Sequence, residues 1–148
     1  MYKRILVAID GSETSNRALQ EAIGLARDQR ALLHIVYALE GFSINSGAEF
    51  PSPEEVENAQ EIYVLGMLDR ARKSALAEGV AAESQLIKIE SLGMRIADAI
   101  IREATNWSAD LIVAGTHGRS SLSHLLVGSV AEGILRVSPV PILLIRSK

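Results

Sequence analysis

Five short apolar runs punctuate this sequence, and their alternation with longer segments of helical period leaves few architectures open. The runs are Ile5–Ile9, Leu32–Tyr37, Gln85–Ile89, Leu111–Ala114 and Ile142–Ile145. Most are β-branched and nearly continuous, the pattern of strands covered on both faces, as in a parallel sheet with helices on either side. Gln85–Ile89 is less apolar and suits an edge. Pro141, at the head of the last run, is tolerated at a strand start or an edge. The expected class is therefore α/β, in the order β-α-β-α-β-α-β-α-β with right-handed crossovers.

The segments between the runs carry helix signals. Ala18, Leu19, Ala22, Ile23, Leu25 and Ala26 fall on one helical face, after a Gly11-Ser12 turn that can supply the N-cap. Ser52-Pro53-Glu54-Glu55 reads as a capping box with proline at the first helical position, opening a helix that runs to Gly79. Ile96, Ala97, Ile100, Ile101 and Ala104 mark another. A single helix over Leu122–Val137 would hold Gly128 in its middle, at about 1 kcal/mol relative to alanine. Ser129-Val130-Ala131-Glu132 reads as a further capping box, so a helix is expected from Ser129 to about Val137, halted by Pro139. Leu122–Val127 is then a short separate turn. Glu40–Pro51 is the least regular stretch, long enough to act as a lid.

Length and composition narrow the class of function. At 148 residues the chain is one domain's worth, residues 1–148, by the soft prior of roughly 150 residues each. With no cysteine, disulfide scaffolds, Cys-ligated zinc modules, iron–sulfur centres and thiol enzymes are excluded. No apolar run approaches the roughly 20 residues of a membrane helix, and Met1-Tyr2-Lys3-Arg4 leads into no signal-peptide core. A cytoplasmic location is expected. Fifteen basic against eighteen acidic side chains give a net charge of −3, with no basic cluster larger than a pair, which argues against nucleic acid as a partner.

In open α/β sheets ligands bind beyond the carboxyl ends of the strands, where the strand order reverses. Those ends hold Asp10-Gly11-Ser12, Tyr37-Ala38-Leu39 and Gly115-Thr116-His117-Gly118-Arg119. The last is followed by Gly128-Ser129 at a helix start, where unpaired N–H groups and the positive end of the dipole suit an anion. Ser129 adds a hydroxyl, the Gly115–Gly118 loop can add N–H groups, and Arg119 is the nearby full positive charge. Together these residues read as a phosphate site. Taken alone, the glycines are equally readable as ordinary turn residues, and Asp10 as a cap of the first helix.

Gly115, two residues, Gly118, nine residues, then Gly128-Ser129 resembles the ATP motif of the universal stress protein family. Lys3–Ser12, Leu33–Val36 and Val140–Arg146 look like that family's first, second and last strands with their flanks, so the resemblance spans essentially the whole chain. It implies a Rossmann-like, doubly wound five-stranded parallel sheet in the order 3-2-1-4-5. It implies a homodimer joined through the last strand, Ile142–Ile145, and bound ATP without fast turnover. Carried over residue by residue, Ala8, Ile9 and Asp10 would lie beside the nucleoside, and Ile35 would meet adenine through its main chain. Gly115, Gly118, Gly128, Ser129 and Val130 would hold the phosphates. Arg119 has no fixed role in the family, so its phosphate contact is expected from its charge alone. Mg²⁺ is compatible through one carboxylate plus phosphate oxygens, but no dedicated cage is visible.

Other chemistries find little support. His34 lies within a strand and reads as packed and hydrogen-bonded; His117 stands beside the expected phosphates; His124 has no evident role. The three make no metal-ligand set. No G-x-S-x-G elbow frames a serine, and neither a P-loop nor G-x-G-x-x-G is present. Trp107 and Tyr63 read as helix-face packing residues. The expectation is a dimeric, non-enzymatic nucleotide-binding protein of the stress response, with slow ATPase activity at most and with protein partners that the sequence does not identify. The alternatives are an enzyme of adenylate chemistry on the related fold, and a homodimeric interaction protein with a vestigial site.

Overall fold

Each apolar run forms a strand and each segment of helical period a helix. The computed structural model describes residues 1–40, 53–117 and 127–147. The elements are β1 (Arg4–Ala8), α1 (Glu13–Gln29), β2 (Leu32–Glu40), α2 (Pro53–Ala77), β3 (Ala82–Ile89), α3 (Ile96–Trp107), β4 (Leu111–Gly115), α4 (Ser129–Val137) and β5 (Ile142–Ile145). The five strands are all parallel and lie in the order β3-β2-β1-β4-β5. The turn expected over Leu122–Val127 lies largely outside the described residues, as do Ser52 and nearly all of the lid-like stretch.

The strand pleat sends alternate side chains into two cores. Ile5, Val7, Leu33, Ile35 and Val113 pack beneath α1 and α2, whereas Leu6, Val36, Ile112 and Ala114 pack beneath α3 and α4. Ile5, Leu6 and Val7 are all fully buried. Three consecutive buried positions in a strand require cover on both faces, which is why the run carries no polar alternation.

Two strands extend beyond their apolar runs. β2 continues past Tyr37 to Glu40 because β3 pairs with it throughout, out to Glu40 opposite Ile89. β3 starts at Ala82 rather than Gln85, its early residues being half-buried or exposed as befits an edge. β1 closes at Ala8, yet the Ile9 N–H still donates to the Val36 carbonyl at 2.9 Å.

His34 is buried, with Nε2 2.9 Å from a Glu103 carboxylate oxygen and its ring stacked on Trp107 at 4.9 Å. Trp107 in turn donates from Nε1 to Glu83 and lies under the Arg4 guanidinium. The histidine and the tryptophan thus pack as expected. Tyr63 does not: it is 61% exposed. The core stripe of α2 runs through Val64, Leu68, Ala71 and Ala75, and Tyr63 is displaced from it by one residue, about 100° around the helix.

The position of α4 depends on small residues. A Cβ at Gly133 would stand 2.6 Å from the Ala97 Cβ, so α3 and α4 approach through glycine and alanine. Nothing bulkier would let α4 lie this close to its neighbour, and this packing fixes where the first turn of α4 is presented.

Candidate functional site

The carboxyl ends of β1, β2 and β4 surround a cavity of about 570 Å³. The wall is built from Ala8, Ile9 and Asp10 after β1, Tyr37 to Glu40 at the end of β2, and Ala114, Gly115 and His117 around the end of β4. Gly128, Ser129, Val130 and Ala131 close it from the start of α4, with Ile96 and Ile100 of α3 and Gln60 of α2. Strand order reverses between β1 and β4: β2 leaves β1 toward one edge of the sheet and β5 leaves β4 toward the other. The crossovers therefore diverge there and leave a crevice.

Two of the helix starts near this crevice are closed by their own residues. At α1, Ser12 is the N-cap and its hydroxyl accepts from the Ser15 N–H at 3.1 Å. The Ser15 hydroxyl accepts from the Asp10 N–H at 3.2 Å, and Asp10 Oδ1 accepts from the Ser12 N–H at 2.9 Å. At α3, Asp98 reaches back to the Arg95 N–H at 3.3 Å and to the Arg95 guanidinium at 3.2 Å. The Arg95 side chain, and then its N–H, hold the Asp98 carboxyl below the usual carboxylate range. A negative charge already sits on that helix end.

The start of α4 is arranged differently. Its first turn is closed by the Glu132 N–H donating to the Gly128 carbonyl at 2.9 Å. The N–H groups of Ser129, Val130 and Ala131 have no partner among the described residues. These are the orphan donors of a helix N-terminus, here on the wall of the cavity. The expected capping box is not formed. Gly128 is the N-cap, with φ −66° and ψ 163°, and no side chain caps the helix. Ser129 is the first helical residue, and Glu132 binds Arg136 at 2.6 Å instead of reaching back. A box needs its serine one position earlier, outside the helix, so the start was located correctly but the role of the hydroxyl was not.

The Gly128 N–H donates to the Thr116 carbonyl at 2.7 Å, and the Thr116 N–H donates to the Ile145 carbonyl at 2.9 Å. The end of β4 is thereby fastened both to β5 and to the N-cap of α4. The N–H of Gly128 is consumed in this link, which leaves the donors one to three residues further on to face the cavity. Gly115 is also spoken for structurally: a Cβ there would meet Thr14 Cγ2 at 2.7 Å and the Thr14 carbonyl carbon at 3.2 Å. The first glycine of the motif is thus required by the close approach of α1.

Ala8, Ile9, Asp10, Gly115, Gly128, Ser129 and Val130 are brought together on one wall. Ile35 is not on it; it is fully buried within β2, between Val7 and Ser84 of the flanking strands. The cavity meets β2 further along, at Tyr37 to Glu40, the strand end that the switch-point argument singles out. Gly118 and Arg119 lie outside the described residues. Gln60 carries no sequence signal, since it is one polar residue on a long helix, whereas Ile96 and Ile100 are legible only as members of an apolar face. The wall is acidic at Asp10 and Glu40 and carries no Lys or Arg among the described residues. No cluster of three or more metal-ligating side chains occurs among the described residues. No helix there is long and apolar enough to cross a membrane.

Known proteins share this sequence and architecture. The sequence model of the universal stress protein family matches residues 1–146. Universal stress protein YxiE of Bacillus subtilis is 32% identical, over 99% of this chain and all of its own length. A universal stress family protein from Burkholderia pseudomallei, solved by crystallography, superposes with a TM-score of 0.80 at 34% identity, covering 99% of this chain and 97% of its own. A universal stress protein from Archaeoglobus fulgidus, solved in complex with dAMP, gives a TM-score of 0.67 at 25% identity, covering 97% of this chain and 98% of its own.

The absence of a cap bond at Ser129 yields a stability prediction. Loss of a true N-cap serine costs about 1 kcal/mol, whereas Ser129→Ala is expected to stay within about 0.5 kcal/mol of the parent in ligand-free denaturant unfolding. A loss of a full kcal/mol or more would restore the capping role.

Proposed function

The chain belongs to the universal stress protein family, and on that premise we propose that it is an ATP-binding protein of the stress response that acts by nucleotide occupancy rather than turnover. The observation that carries this reading is the uncapped start of α4, which presents the N–H groups of Ser129, Val130 and Ala131 on a cavity of about 570 Å³ at the switch point. Donors of this kind suit phosphate oxygens and need no cationic side chain. The apolar part of the wall, from Ala8 and Ile9 across to Tyr37, Ala38 and Leu39, would take the nucleoside, with the Asp10 carboxylate at its border. The dAMP complex of the related Archaeoglobus fulgidus protein supports adenine nucleotides as the ligand class. Asp10 together with phosphate oxygens could share Mg²⁺, which would offset the charge of the triphosphate.

Fast phosphoryl transfer requires a placed base or water-orienting group and a charge clamp. On the described wall the candidates are Asp10, already accepting from the Ser12 N–H, and His117. Hydrolysis is therefore expected to be slow or absent, and a cytoplasmic setting fits a chain without cysteine. Occupancy would act through a dimer. β5 is an edge strand with β4 as its one neighbour. The carbonyls of Pro141 and Ile145 accept bonds from β4, so by the alternation of a strand Ile142 and Leu144 direct their main-chain groups outward. An open row of this kind, flanked by the exposed Leu135 and Val137, is suited to pairing with a second copy.

Two measurements test this reading. Ligand-free protein should unfold at a clearly higher temperature with saturating Mg²⁺-ATP, since a ligand at a hundred times its Kd adds about 2.7 kcal/mol. A shift matched in full by AMP would move the assignment to a monophosphate, and no shift with either would remove the nucleotide. Separately, Leu144→Pro deletes an outward N–H without breaking a bond to β4, and should convert a dimer to a monomer on size-exclusion chromatography. A dimer that persists in this variant would place the interface elsewhere.

A further inference from the structure

His117 lies on the cavity wall with half of its hydrogen-bonding capacity unmet. Its Nδ1 is 3.0 Å from the Thr116 hydroxyl oxygen, while its Nε2 is buried and has no partner. Thr116 is itself buried. Its hydroxyl proton has Nδ1 as its acceptor among the described residues, and this bond places the imidazole proton on Nε2. The opposite tautomer would strand the hydroxyl proton as well as the ring nitrogen. A buried N–H without an acceptor is rare in a native structure and marks an absent partner when it occurs beside a cavity.

The surroundings say what kind of partner is missing. The other polar donors at this end of the wall are the open N–H groups of Ser129, Val130 and Ala131, and the Thr116–Gly128 main-chain bond ties the residue before His117 to the N-cap of that same helix. Thr116 is held on both sides, through Ile145 and Gly128, so the hydroxyl that orients the ring is itself fixed. Asp10 and Glu40 are the acids of the wall, and no Lys or Arg stands there among the described residues. A neutral N–H donor set with the α4 donors is a fitting recognition element for an anion.

We propose that His117 is a specificity-determining residue, donating from Nε2–H to the phosphate chain of the bound nucleotide, so that the site separates phosphorylated adenosine from the bare nucleoside. This rests on the nucleotide-binding reading above and assigns one of its contacts to a side chain. The test is isothermal titration of the intact protein and of His117→Ala and His117→Gln with adenosine, AMP and ATP. His117→Ala should lose roughly tenfold or more in affinity for AMP and ATP, as for a hydrogen bond to a charged group, with adenosine unchanged. His117→Gln, which keeps an N–H donor, should recover part of the loss. Equal losses for adenosine and ATP would reduce His117 to a structural prop, and no loss for either would remove it from the site; both results overturn the proposal while nucleotide binding stands. A parent protein that binds none of the three overturns the nucleotide reading and this one with it.

Discussion

Thr116 makes two main-chain hydrogen bonds on which the rest of the site depends. Its N–H is spent on Ile145 of the edge strand and its carbonyl on Gly128, the N-cap of α4. A loop leaving a strand end can wander, and here both of its ends are brought to one point. The first turn of α4 is thus held against the carboxyl end of the sheet, while the Gly133–Ala97 approach holds its body against α3. Neither restraint involves a ligand. The donors are set out before anything binds, which lowers the ordering cost that recognition would otherwise incur.

The three described helix starts around the crevice illustrate how similar local chemistry serves different ends. α1 and α3 satisfy their own N-termini with Ser12 and Asp98, and those ends are structural. α4 begins with glycine as its cap and leaves three N–H groups without a partner among the described residues. A closed helix start adds stability; an open one forgoes it and keeps its donors for something else. The motif glycines divide along the same line. Gly115 is explained by Thr14 pressing against it, and Gly128 by its bond to Thr116, so a shared glycine pattern need not mean that each glycine touches a ligand.

The sheet and its order were legible because burial on both faces forces long apolar runs, and no helix of this chain imitates them. Strand ends were less so: at β2 and β3 the pairing runs on into Glu40 and back to Ala82, where edge exposure removes the apolar signal. The wall of the site was largely legible from Ala8 to Asp10 and from Gly115 to Val130. Ile35 was placed too deep, since the cavity meets β2 at its end and the central residues of a flanked strand are enclosed by their neighbours. Ser129 marked the helix start but was assigned the wrong hydrogen bond, because sequence alone cannot separate the last non-helical residue from the first helical one. Tyr63 went astray for a related reason, a displacement of one residue around a helix.

The central claim is that the uncapped first turn of α4 is an anion seat at the switch point of the sheet. A crystal structure of the protein with a non-hydrolysable ATP analogue tests it most directly. Phosphate oxygens within hydrogen-bond distance of the Ser129, Val130 and Ala131 N–H groups are the expected result, with the base against Tyr37 to Leu39. A nucleotide bound with its phosphates at the closed start of α1 or α3, or with those three N–H groups still unoccupied, would contradict it.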